Sequence, residues 1–247
     1  MKFGVGQPVR RVEDARFVTG AGAYTGDHQP AGMAHAVVVR SPHAHARFRL
    51  GDVEAVRAMP GVVLVLTHAE VADLGGLPCL VPIKNRDGTA MPMPPYPVLC
   101  RDIVRHVGDA VAFVVAETVQ QAKDAAEAVM PDIEALPAVL TAEEAVKPGA
   151  PLLYDEAPGN VILDFKFGDH AAVEAAFARA AHVTRMRIVN SRIVVSAMEP
   201  RAALAEWDGE DGRYILRLGC QGVFGNRANL SRVMGVAPEK LRILTGN

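Results

Sequence analysis

The sequence is poor in aromatics, poor in cysteine and without an excess of either charge, and each shortage excludes something. Phe, Tyr and Trp make up 5% of the 247 residues, so any core has to be built from Val, Leu, Ile and Ala. Cys79, Cys100 and Cys220 are far apart and odd in number, which excludes a closed disulfide framework. No two of them have the two-residue spacing of a zinc or iron–sulfur ligand set. With 26 basic against 28 acidic residues the net charge is −2, and no electrostatic footprint for nucleic acid or an anionic membrane follows. The longest apolar runs, Val62–Leu66 and Ala110–Ala116, are strand-sized, whereas a membrane span needs about 20 residues. Met1–Arg16 has no apolar h-region and already carries Arg10, Arg11, Glu13 and Asp14, so it does not read as a secretory signal. The sequon Asn229-Leu230-Ser231 then has no glycosylation to receive. The expectation from these absences is a soluble, cytoplasmic protein.

What is present is half hydrophobic and 22% charged, a composition that buries sizeable cores and excludes a disordered or collagen-like chain. Residues 1–32 are rich in glycine and polar turn residues and read as an irregular lead-in. Met33–Arg40 reads as a strand whose Val37-Val38-Val39 is too continuous to face water on one side. Asp52 suits the N-cap of a helix Val53–Met59 that Pro60-Gly61 ends, and Val62–Thr67 follows as a buried strand. Leu74–Pro97, including Met91-Pro-Met-Pro-Pro-Tyr-Pro97, is too proline-dense for helix or central strand and reads as a long surface excursion. Strands at Val104–Val107, Ala110–Ala116 and Asp132–Leu136 surround a helix Val119–Met130 capped by Thr118. Lys147-Pro148-Gly149-Ala150-Pro151 is the best linker. Beyond it come strands Val161–Phe167 and Val183–Val189 around an Ala-rich helix Ala171–Ala181. A hairpin Arg201–Trp207/Arg213–Leu218 turns at Asp208–Gly212. A helix Arg227–Met234 and a last strand Leu241–Leu244 complete an α+β chain.

Few residues stand out as chemical. Gly4-Val5-Gly6 and Gly20-Ala21-Gly22 lack the third glycine and the preceding strand of a dinucleotide fingerprint, so both read as turns and a nucleotide-binding protein is disfavoured. His43 and His45 would share a strand face, but no third ligand lies at a matching interval, and a structural role is favoured. Glu199, in Ser196-Ala-Met-Glu-Pro-Arg201, suits a catalytic base if buried, and otherwise a salt bridge to Arg201 or Arg192, the reading favoured here. Gly219-Cys-Gln-Gly-Val-Phe-Gly225 lies between a strand and a helix. Its glycines let backbone N–H groups approach a ligand, and the helix N-terminus suits an anionic one. Gln221 adds an amide that donates and accepts without titrating. Cys220 has no histidine near it in sequence and reads as an inert thiol.

An ordered set of segments resembles one family. Gly6-Gln7-Pro8-Val9-Arg10-Arg11-Val12-Glu13-Asp14 with Thr19-Gly20, then Val39-Arg40-Ser41-Pro42-His43-Ala44-His45-Ala46, Pro60-Gly61-Val62, Val107-Gly108-Asp109-Ala110-Val111-Ala112, Met198-Glu199-Pro200-Arg201 and Cys220-Gln221-Gly222 resemble the molybdenum-carrying large subunit of the xanthine dehydrogenase, aldehyde oxidase and carbon monoxide dehydrogenase family. The resemblance implies an α/β hammerhead domain over 1–146, with the irregular lead-in, and the first, incomplete part of a molybdopterin-binding domain over 147–247. It implies oxidation or hydroxylation of an aldehyde, an N-heterocycle or carbon monoxide with water-derived oxygen. The cofactor implied is molybdenum-molybdopterin in a dinucleotide form, with FAD and [2Fe–2S] clusters on partner subunits. Gln221, Gly222 and Phe224 are the cofactor-binding residues it implies, Gln221 bonding an oxygen ligand of the metal. Cys220 departs from the family's more frequent threonine, and Pro131 is unexpected where a strand should run. No catalytic residue and no protein ligand to the metal is expected in this stretch, because the family's Gly-Gly-x-Phe-Gly loop and catalytic glutamate come after the segment matching Asn247. The expectation is a fragment or split part of the large subunit, inactive alone, whose partners are the remaining segment, the flavin and iron–sulfur subunits and a small-molecule substrate, with no nucleic acid or membrane. The alternative is a non-catalytic assembly module, or remnant, that docks redox partner subunits.

Overall fold

A computed structural model of the protein describes residues 6, 8–129, 131–191 and 193–246. They fall into two compact units: one joins the chain up to Met33 to everything from Ala197 onward, and the other runs Ala34–Ser196. In the first, a short helix α1 (Asp14–Val18) precedes a single turn at Thr25–Asp27.

The Ala34–Ser196 unit is built on two three-stranded sheets. One has the order β1 (His35–Arg40), β5 (Ala110–Ala116), β3 (Val62–Leu66), all antiparallel. The other places β2 (Ala46–Arg49) between β4 (Ile103–Val104) and β6 (Asp132–Ala135). The β-branched runs form strands because their stiff side chains pack on a pleated surface. Two helices cover one face of the first sheet: α2 (Val53–Arg57), capped by the Asp52 carboxylate on the Ala55 N–H, and α3 (Val119–Ala128), capped by the Thr118 hydroxyl on the Gln121 N–H. Val56, Val65, Ala112, Val114, Ala125 and Val129 make that core, and Ala46, Phe48, Cys100, Val104 and Val111 make a second. Small alanines on α3 let the helix lie close to the sheet, which is how a core poor in aromatics stays dense. Pro131 stands immediately before β6, an edge strand of four residues, where its missing N–H costs no ladder bond.

The Leu74–Pro97 excursion is held rather than loose. The Leu77 N–H donates to the Tyr96 carbonyl at 2.7 Å, and its tip folds back through the Asn85 N–H to the Thr89 carbonyl at 2.9 Å. Arg86 pairs with Asp164 at 2.5 Å, and the Asp164 N–H returns a bond to the Asn85 side chain. Residues 161–200 correct the sequence reading. Neither Val161–Phe167 nor Val183–Val189 is a strand; neither has a ladder partner among the described residues. A strand without a neighbour leaves its N–H and C=O groups to water and gains nothing from its alternation. Between them a helix does form (His170–Arg179, α5, after the short α4 at Ala142–Ala145), capped by Asp169, and every residue of α5 is exposed.

In the other unit β7 (Ala203–Asp208) and β8 (Arg213–Leu218) form the expected hairpin, and β9 (Leu241–Leu244) pairs parallel to β8. Helix α6 (Val223–Met234) connects β8 to β9 and covers β9, whose Leu241 and Ile243 are buried. Trp207 and Tyr214 are cross-strand neighbours in a T-shaped pair at 4.7 Å. Gly235 ends α6 in the left-handed conformation, φ 64°, that a residue without Cβ adopts at no steric cost.

One carboxylate of the Ala34–Ser196 unit is strongly perturbed. Hydrogen bonds from the Thr67 hydroxyl (2.6 Å) and Thr67 N–H (2.7 Å), helped by Arg57, hold Glu70 down at about 2, against a smaller opposing effect of burial. A depressed carboxyl contributes stability that is complete above its unfolded value and disappears as pH falls through the folded one. Wild type should therefore lose its advantage over Glu70→Gln between about pH 4.5 and about pH 2. Thermal midpoints of both proteins across that range check this; a constant gap would contradict it.

Candidate functional site

The loop between β8 and α6 is where the chain has the means to hold a ligand. Gly222 is the N-cap of α6 at φ 143°, and nothing lies within 4 Å of where a Cβ would stand. Only glycine adopts that backbone freely, and the open space in front of it leaves the backbone approachable. The helix begins four residues earlier than the glycines suggested. Gly225 sits inside the first turn, and the Gly222 carbonyl accepts from both the backbone and side-chain nitrogens of Asn226, at 3.3 and 2.9 Å. Phe224 is thereby on the first turn and largely exposed, with the Arg227 guanidinium 5.6 Å from its ring centroid. Both line a hollow of about 450 Å³, with Arg213, Arg242 and Glu239 at its polar side. Arg213 is tied to Asp208 and Asp211, while no carboxylate among the described residues pairs with Arg227 or Arg242.

Gln221 is exposed, and no group among the described residues bonds its amide. An amide offered to solvent on a loop without local work is free to bond a ligand. The structure also brings Glu199 here: its two carboxylate oxygens lie 3.7 Å from the position a Cβ on Gly219 would take. Glu199 is exposed and makes no ion pair with Arg201 among the described residues, and Arg192 lies outside them. Sequence reasoning separated Glu199 from the Gln221 loop by twenty residues. The signal that could have joined them is the β7–β8 hairpin, itself legible in the sequence, which folds the segment before β7 back onto the end of β8.

The other candidates disperse. His45 Nδ1 meets the Pro137 carbonyl at 2.8 Å, and the His43 N–H bonds the Ser41 hydroxyl. Among the described residues no three His, Cys, Asp or Glu side chains are grouped to hold a metal ion. All three cysteines are free; Cys100 is buried, and burial with the nearby Asp109 charge pushes its thiol up to about 11, so it stays protonated and inert. No helix among the described residues is long and apolar enough to cross a membrane.

A sheet-and-helix unit is followed by a glycine loop that opens a helix, and comparison with known proteins gives this arrangement a class. Residues 19–137 match the aldehyde oxidase and xanthine dehydrogenase a/b hammerhead domain, and residues 153–247 the molybdopterin cofactor-binding domain. The chain belongs to the family of molybdopterin-binding large subunits that includes xanthine dehydrogenase, aldehyde oxidase and carbon monoxide dehydrogenase. It is 33% identical over 244 residues to the nicotine 6-hydroxylase large subunit of Paenarthrobacter nicotinovorans, covering 98% of this chain and 29% of that protein. To the carbon monoxide dehydrogenase large chain of Afipia carboxidovorans it is 32% identical, covering 98% of this chain and 30% of that one. Among solved structures, quinoline 2-oxidoreductase from Pseudomonas putida 86 superposes with a TM-score of 0.84 at 31% identity, covering the whole of this chain and 31% of that one. The chain spans about 30% of the length of these relatives.

Proposed function

We propose that the chain contributes the hammerhead domain, residues 1–146, and one wall of the molybdenum site, within residues 147–247, to a molybdenum hydroxylase, and that it is inactive by itself. The observation that carries this is the Gln221 loop: an amide with no partner among the described residues, beside a glycine whose front is open, at the start of a twelve-residue helix. These residues fit a bulky anionic cofactor, because the backbone is approachable and the adjoining hollow is lined by Phe224 and arginines.

Gln221 would help hold the molybdenum group through its amide, as a hydrogen-bonding partner outside the metal's own ligands. Gly222 leaves room for the cofactor edge, and Phe224 borders it and excludes water. When bound, molybdenum-molybdopterin, in a dinucleotide form, supplies two-electron oxidation of the substrate carbon with oxygen from water. The substrate is an aldehyde, an N-heterocycle or carbon monoxide. Partner subunits carrying [2Fe–2S] clusters and FAD would accept the electrons, in a cytoplasmic assembly. The remaining large-subunit segment supplies the general base and the rest of the cofactor cradle.

Two measurements test this. The 247-residue chain purified alone should carry far less than one molybdenum per chain by elemental analysis, and should gain it when co-expressed with a polypeptide covering the remaining large-subunit segment. In that assembly Gln221→Ala should alter the Mo(V) electron paramagnetic resonance spectrum and lower metal retention or turnover by roughly 10–100-fold. Stoichiometric molybdenum on the isolated chain, or an unchanged Gln221→Ala spectrum and turnover, overturns the reading.

A further inference from the structure

Among the described residues, α2 and α3 cover one face of the β1-β5-β3 sheet. Val38, Phe113 and Leu66 occupy matching registers on the three strands. Alternation turns them away from the face where Val65, Ala112 and Val114 are buried against the helices. The proline-rich excursion roofs this second face. Leu74, Leu77 and Tyr96 close a cavity of about 480 Å³ over the three strand residues. The roof is drawn together by the Leu77–Tyr96 backbone bond and by Gly76, where a Cβ would stand 2.8 Å from the Tyr96 carbonyl oxygen.

The cavity is apolar along its body and charged at one end. There Arg40 donates from one guanidinium nitrogen to the Gly108 carbonyl at 2.8 Å, and no carboxylate among the described residues pairs with it. The carboxylate that lines the same cavity, Asp109, is already committed. It accepts from the Arg105 N–H at 2.6 Å, the His106 N–H at 3.2 Å and His106 Nδ1 at 2.8 Å. The Cys100 thiol is neutral, as noted above. Among the described residues lining it, the unanswered charge is this guanidinium, with most of its donors open at the end of an apolar cavity of small-molecule size.

We propose that this cavity binds a small molecule with an apolar body and a single carboxylate, its carboxylate on Arg40 and its body against Leu66, Leu77 and Phe113. The planar guanidinium takes a carboxylate in a two-point contact, while the apolar walls, left part-exposed by the fold, lose their water to the ligand body. The proline-rich excursion is then the roof of a binding site. Calorimetric titration of the whole chain with octanoate and with 4-phenylbutyrate separates alkyl from aryl acids, with octan-1-ol as the neutral control. At least one acid should bind saturably at one site. Arg40→Met should weaken that acid tenfold or more while leaving octan-1-ol unchanged, and Arg40→Lys should restore part of the affinity. Phe113→Trp, which fills the cavity, and Leu77→Glu, an exposed roof position that brings in a repelling charge, should each weaken acid binding by a similar factor. Absence of saturable binding of either acid at millimolar concentration overturns the proposal. So does an Arg40→Met affinity equal to wild type, or acid binding untouched by both Phe113→Trp and Leu77→Glu.

Discussion

Asp109→Ala is expected to destabilise the Ala34–Ser196 unit by about 2–4 kcal/mol, because it removes the acceptor of three donors at a buried point. The carboxyl group is 4% exposed and collects the N–H groups of Arg105 and His106 as well as the His106 ring. Its own backbone is equally committed: the Asp109 carbonyl accepts from the Ser41 N–H at 2.8 Å, and the Gly108 N–H donates to the Ser41 carbonyl at 2.8 Å. One aspartate thus sets the bend that enters β5, the central strand of its sheet. Alanine leaves two backbone donors without partners where water is scarce. Asp109→Asn keeps an acceptor oxygen and should lose about half as much. Hydrogen exchange at the β5 amides measures both, and protection unchanged in Asp109→Ala would contradict the argument.

Phe48→Ala should cost about 3–5 kcal/mol, the range for emptying a buried phenyl site. Phe48 is 5% exposed on the middle strand of the second sheet, packed among Ala46, Cys100, Val104 and Val111. Ala46, Val104 and Val111 sit on strands, which cannot close around a void as a loop can. Phe48→Leu retains most of the volume and should cost about 1 kcal/mol. Urea denaturation followed by far-ultraviolet circular dichroism checks the pair. Equal losses for Ala and Leu would show that the site collapses, contrary to the packing described. With eight phenylalanines in the chain, few other positions offer so large a single deletion in the core.

The sequence was most legible where a local rule and the tertiary environment agree. The β-branched runs of β1, β3 and β5 are strands because each finds a hydrogen-bonding neighbour. Asp52 and Thr118 cap their helices through side-chain oxygens that need nothing distant. The same alternation at Val183–Val189 yields no strand, since no neighbour among the described residues meets it. Met186, Ile188, Val194 and Val195 are left exposed instead. The candidate loop was legible for its glycines and Gln221, but the start of α6 was not. Gly225 carries glycine's intrinsic cost in a helix, and α6 offsets it by packing on β9.

By itself, then, the sequence determined the composition of the cores, most of the strands and helices, and membership of the large-subunit family, because propensity, periodicity and ordered motifs act locally along the chain. Only the tertiary structure decided that the lead-in residues join those from Ala197 onward in one unit, that Glu199 lies beside Gly219, and that the proline-rich excursion roofs an apolar cavity ending at Arg40. Each of these brings together groups far apart in sequence. Such meetings are settled by which surfaces bury one another, and no local pattern encodes that.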